Sequence, residues 1–377
     1  MASDSIKNAP IVGIDVLRLA AALMVMAYHF GFKAVAETGG LLDKMTDIAP
    51  YVPSTWAFTW WGWVGVQVFF TISGVVIAFS AASSKATPAK FVRGRVLRLW
   101  PIVLIASCLA AVVEMTTFGQ SFTKVALLWA KTVFFHPLPP WLMGQFWTLG
   151  IEVMFYLSIL ILLWAGYIQR LPQLGAFLIL LSAAYWIVRA MNGGHDPLGR
   201  ITQLLLFQHG MYFGVGILLA ARVSTGAARW HTPVIVIAAI VAVVQIQVVS
   251  GWEAGHAGLT GYWPMPFVIY VASVALIWVS LLCNTAVVDA IGIRGAMFIR
   301  QMGMMTFPLY LVHNHVGKPV ILRALDMGGS IEIAIALAAT ASIGVAWTVA
   351  AWIEPFVFQW ISRAYDGVAR PLQRILS

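Results

Sequence analysis

Three ionisable residues stand in the first apolar stretch of the chain: Asp15, Arg18 and His29. Histidine, with an ordinary pKa of about 6.5, is the side chain best suited to take and return a proton near neutrality. Arg18 and His29 are eleven residues apart. At about 100° per residue that spacing returns to within roughly 20° of one helix face, about 16 Å further along the axis. Asp15 joins the same face. A carboxylate able to partner an imidazole appears at Glu152, inside Trp147-Thr148-Leu149-Gly150-Ile151-Glu152-Val153-Met154-Phe155-Tyr156, where Thr148, Glu152 and Tyr156 share a face at i, i+4 and i+8. Near the end of the chain, Tyr310-Leu311-Val312-His313 offers a second imidazole, with His209 and Arg189 as weaker candidates. The densest basic run is Lys85, Lys90, Arg93, Arg95 and Arg98. Such a run can hold a polyphosphate, and Arg95 and Arg98, one helical turn apart, offer two guanidinium forks. Ser73-Gly74 lies in mid-segment, where a glycine admits another backbone or a slender ligand.

Plainer readings exist for each. Asp15 and Arg18, at i and i+3, could simply pair at a membrane edge, and His29 and His313 could each satisfy a backbone group. Glu152 could be hydrated near an interface. The basic run could serve orientation or anionic lipid alone. The aromatic cluster Trp56, Phe58, Trp60, Trp61 and Trp63 reads first as an interfacial belt, although flat rings also stack on sugars.

The elements that must carry these residues follow from composition. Of 377 residues 61% are hydrophobic and 10% charged, against roughly 45–50% and about 25% in soluble domains, and the mean hydropathy is +0.87. The chemistry therefore sits in or at a membrane. Apolar blocks long enough to cross lie near 12–32, 56–82, 99–115, 147–166, 175–191, 201–221, 233–250, 266–283, 304–321 and 331–353. The stretch 123–135 is shorter and carries Lys124 and Lys131. If it is re-entrant or interfacial, fourteen Lys and Arg fall on the N-terminal side and eight on the other; counting it as an eleventh span erases the bias. The expected architecture is thus an all-α integral membrane protein of about ten helices in one bundle, both termini cytoplasmic, with no soluble domain. The net charge of +9 reports topology rather than nucleic acid. Cys108 and Cys283 both fall within spans, so neither a disulfide framework nor a metal site is expected.

Several segments together resemble the acyltransferase-three family of integral-membrane, acyl-CoA-dependent O-acyltransferases. Arg18 with His29 resembles its first-helix signature, and Phe69-Phe70-Thr71-Ile72-Ser73-Gly74 its second-helix motif. Arg95-Val96-Leu97-Arg98-Leu99-Trp100-Pro101 is similar to its paired-arginine motif, and Trp147 through Tyr156 to its glutamate motif. Thr306-Phe307-Pro308-Leu309-Tyr310-Leu311-Val312-His313 resembles the late tyrosine-histidine motif, with Phe307-Pro308 the looser part.

The resemblance implies an acyl-CoA co-substrate, acetyl-CoA in the first instance, no permanently bound cofactor, and an extracytoplasmic or lipid-linked saccharide acceptor, as in exopolysaccharide acetylation at a bacterial inner membrane. It implies His29 as general base with Glu152 orienting it, or His29 as a transient acyl carrier. Arg18, Ser73, Gly74, Arg93, Arg95 and Arg98 would bind the donor. Asp15, Thr148, Tyr156, Tyr310 and His313 would contact the acceptor or support the site. A proton-coupled transporter or flippase would use the same buried polar residues, but no inverted repeat is visible. Acceptor identity and oligomeric state are not written in these residues.

Overall fold

Backbone polar groups inside a bilayer must be satisfied within the segment, so apolar blocks of this length fold as helices. Every described element is helical. The computed structural model describes residues 10–34, 59–83, 85–196, 198–226, 228–256 and 264–376, without the side chains of 254–256 and 368–376. The crossing helices begin with α1 (Val12–Tyr28), which continues as a π-helical turn over His29–Lys33. A 3₁₀ turn over Trp60–Val64 then leads into α2 (Gly65–Ala81), followed by α3 (Pro88–Thr116). The short α4 (Phe122–Val133) precedes α5 (Trp147–Trp164), α6 (Leu171–Met191) and the single-turn α7 (Arg200–Leu204). Then come α8 (Gly210–Ser224) and α9 (His231–His256).

The helical stretch Pro264–Asp326 is far longer than any bilayer requires, and it breaks at Gly292, whose φ of 72° is open to glycine at little cost. The chain reverses there. Asn284, before the break, accepts from the backbone N–H of Val12, while Arg300 and Gly303, after it, both reach Asp15. Residues 264–291 (α10) and 293–326 (α11) therefore run side by side along α1. After α12 (Ile331–Thr348) and a π turn at Val349–Ile353, α13 (Glu354–Leu376) completes the chain. Eight helices are long and apolar enough to cross a membrane. The longest divides at Gly292 into two helices of bilayer length, and the apolar α8, at 15 residues, is shorter than these.

At 12 residues, α4 spans only about 18 Å and is too short to cross a hydrocarbon core of about 30 Å. The predicted block 201–221 is cut: α7 ends at Leu204, Leu206 takes a positive φ of 63°, and only Gly210–Ser224 is continuous. The basic run expected as a loop is largely helical, because Thr87 caps α3 by accepting from the Lys90 N–H and Pro88 fits the first turn. Nor do the described tryptophans form a simple interfacial belt: Trp60 and Trp63 are buried in the bundle, while Trp56 and Phe58 lie outside the described residues.

Close helix crossings set the frame of the site. Gly74 of α2 meets the backbone of Phe213 and Gly216 of α8 so tightly that a Cβ at Gly74 would stand 2.3 Å from the Phe213 carbonyl oxygen. Small residues allow such approach where no hydrophobic effect drives helices together in lipid. The amphipathic α13 is fastened to α3, where Arg93 donates through Nε and Nη2 to both carboxylate oxygens of Asp366, at 2.9 and 3.0 Å, and through Nη2 to Ser362 at 2.7 Å.

Candidate active site

His29 opens the π turn at the end of α1 away from Arg18. Its Nδ1 lies 2.9 Å from the carbonyl oxygen of Val25 and 3.1 Å from Nε2 of His313 on α11. A carbonyl only accepts, so the hydrogen of His29 sits on Nδ1. The Nδ1 of His313 is in turn 3.1 Å from the Leu309 carbonyl, which leaves its Nε2 as a second acceptor, sharing the one Nδ1 hydrogen of His29 with the Val25 carbonyl. The two neutral rings are thus keyed to one another, with centroids 4.8 Å apart, and Nε2 of His29 keeps an uncommitted lone pair among the described residues. His313 is 1% exposed and His29 half-buried.

Glu152 does not occupy the orienting position expected for it. Its Oε1 accepts from Ser73 at 3.0 Å and, in a very short contact, from Tyr156. The imidazole that keys His29 is that of His313. The physical reason lies in helix register: Thr148, Glu152 and Tyr156 share a face of α5, but along it only Thr148 reaches α11, at Tyr310, while Glu152 and Tyr156 lie beside Ser73 of α2 and Arg95 of α3.

A cavity of about 90 Å³ links these features, with Arg18 and Arg98 at one end, Ser73 and Glu152 along its wall, and Thr148 and Tyr310 also lining it. Arg98 is exposed and marks the mouth. The ring centroids of Tyr310 and His313 are 6.3 Å apart, so Tyr310 stands between the cavity and the histidine pair; His29 itself does not line the cavity. Tyr310 also ties the helices together: its hydroxyl is 3.1 Å from that of Thr148 and donates to the Gln145 carbonyl at 3.2 Å.

Three residues expected at the donor are used otherwise. Arg95 does not share the cavity of Arg98. It is stacked over the rings of Phe91 and Tyr156, at 5.4 and 5.5 Å, and lines a separate, almost wholly apolar groove of about 320 Å³. Gly74 serves helix packing. Arg93 is engaged by Asp366 and Ser362. Arg93→Ala is accordingly expected to leave affinity for acetyl-CoA unchanged while exposing α13 to limited proteolysis; weaker acetyl-CoA binding would return Arg93 to the donor site.

Asp15 is 2% exposed and is paired with Arg18 at 3.3 Å and Arg300 at 3.6 Å. It therefore anchors Arg18 rather than meeting an acceptor, and its buried carboxylate lies against Gly303, where a Cβ would clash. Of the weaker candidates, His209 is enclosed by the rings of Phe70, Trp147 and Tyr212. Arg189 braces a loop through the Gly194 carbonyl and the Tyr185 hydroxyl.

The sequence reading overlooks three residues. Gln145 donates to the Leu311 carbonyl at 2.5 Å and accepts from Asn314 at 3.3 Å; it stands two residues before the glutamate motif. Arg300 could have been sought as a second partner for a buried Asp15. Glu253, just beyond an apolar block, is 6% exposed and faces the π turn.

The site is thus an all-helical bundle with arginines lining a narrow cavity and a paired imidazole beyond it. A family model described as an acyltransferase domain, that of acyltransferase three, matches residues 11–359. The chain belongs to this family of acyltransferases, and it is an integral-membrane acyltransferase. It is 25% identical over 326 residues to the acyltransferase MdmB of Streptomyces mycarofaciens, an alignment covering 79% of this chain and 76% of that protein. No solved structure matches it.

Proposed function

We propose that the protein transfers an acyl group, acetyl in the first instance, from acyl-CoA at the cytoplasmic face to a hydroxyl of an extracytoplasmic or lipid-linked saccharide. The observation that carries this reading is the uncommitted Nε2 of His29, held in a fixed tautomer by the Val25 carbonyl and His313. In the proposed step the acceptor hydroxyl gives its proton to that nitrogen as its oxygen attacks the thioester carbonyl. The carbon–sulfur bond then breaks, and the imidazolium returns the proton to the departing thiolate. His313, accepting from Nδ1 of His29, disperses the transient positive charge, the task a carboxylate performs in a Ser-His-Asp triad.

Arg98 and Arg18 suit the phosphates of coenzyme A at the mouth. The slender pantetheine arm would pass Ser73 and Glu152, and the thioester must pass Tyr310 to meet His29. A bacterial inner membrane, with the basic face cytoplasmic, suits this orientation.

Purified protein in detergent, incubated with acetyl-CoA, is expected to release free coenzyme A, slowly through water and faster when an acceptor saccharide is supplied. No release with acetyl-CoA or longer acyl-CoA thioesters, with or without saccharides, would overturn the proposal.

A further inference from the structure

The turn that carries His29 is not an ordinary continuation of its helix. Over His29–Lys33 the backbone widens to π geometry, in which hydrogen bonds run from i to i+5. Such turns are uncommon and are retained where something selects them. Here Glu253 of α9 makes two contacts with α1: the Tyr28 hydroxyl donates to its Oε2 at 2.5 Å, and the Lys33 ammonium lies 3.2 Å from the same oxygen. Tyr28 and Lys33 are five residues apart. In an α-helix five residues turn through about 500°, which leaves the two side chains roughly 140° apart, on nearly opposite faces. In the π turn they come onto one face, and a single carboxylate can hold both. The Lys33 ammonium also stands over the Trp252 ring at 5.0 Å, on the same helix as Glu253.

The turn so held positions more than His29. Phe30, the next residue, is pressed against Gly317, where a Cβ would lie 2.1 Å from the end of its ring, and its centroid is 5.9 Å from that of His313. Relaxing the π turn to α would rotate Phe30 and Lys33 relative to α1 and withdraw the brace from behind His313. Among the described residues Glu253 bonds to Tyr28 and Lys33 and to neither imidazole, so its influence runs through the backbone it grips.

We propose that Glu253 is a positioning residue: by holding Tyr28 and Lys33 on one face it fixes the π turn, and with it the orientation of the His29–His313 pair. This rests on the reading of His29 as the base.

The test compares Glu253→Ala, Glu253→Gln and His29→Ala as purified full-length proteins, following free coenzyme A from acetyl-CoA together with thermal stability. Because a misplacement of about 1 Å at a reacting group costs on the order of a hundredfold, Glu253→Ala should lower kcat by about ten- to a hundredfold. KM for acetyl-CoA should stay within about twofold, since Arg18 lies at the other end of α1 and Arg98 on α3. Glu253→Gln, which still accepts from Tyr28 but loses the ion pair, should show a smaller loss of kcat in the same direction. Wild-type kcat in Glu253→Gln and Glu253→Ala would overturn the inference, as would a loss carried by KM. Should Glu253→Ala fail to fold, Glu253→Gln decides alone. Activity surviving in His29→Ala would overturn the reading of His29 as base instead, a result separable from that of the Glu253 variants.

Discussion

Replacing Arg18 and Arg98 together by alanine is expected to weaken acetyl-CoA binding by about a hundredfold to ten-thousandfold. The estimate takes about 1.5–3 kcal/mol for each charge-assisted hydrogen bond to a phosphate, with about 1.4 kcal/mol per factor of ten. The two sites differ in what else they do. Arg98 is exposed at the cavity mouth, so Arg98→Ala alone should cost affinity without costing the fold. Arg18 also pairs with the buried Asp15, which would retain only Arg300 in its absence; Arg18→Ala should therefore destabilise the protein as well. Equilibrium binding in detergent, read beside thermal unfolding, separates the two effects. Undiminished binding in Arg98→Ala would assign the donor to another entrance.

The same pair shows how far sequence could lead. Arg95 and Arg98 look interchangeable as neighbours one turn apart, yet three residues at about 100° each leave them some 60° apart around the helix. That difference directs Arg98 to the cavity it shares with Arg18 and Glu152 and Arg95 onto aromatic rings beside an apolar groove. Periodicity fixes which residues of one helix share a face, and Thr148, Glu152 and Tyr156 do. It says nothing of which neighbouring helix that face will meet, and so Glu152 was expected beside His29, where His313 stands.

The long apolar helices were legible for a physical reason: a bilayer imposes a minimum apolar length. The hairpin at Gly292 was less so, because the polar residues from Asn284 to Arg300 read as a loop while the chain stays helical on both sides of one glycine. The π turn left no signal at all. Its selection depends on Glu253, more than two hundred residues away along the chain, and no local propensity encodes such a contact.

What the proposed chemistry asks of the molecule is one basic nitrogen in reach of a thioester. General-base catalysis by a positioned side chain contributes about a hundredfold to ten-thousandfold in rate, and Nε2 of His29 is an imidazole nitrogen left uncommitted among the described residues. The most direct measurement is the turnover of acetyl-CoA by His29→Ala, with acetyl-CoA affinity measured on the same sample. A fall in kcat of that size at unchanged affinity is the predicted result. Turnover within a few-fold of the parent protein would contradict the account, whatever the histidine's place in the fold.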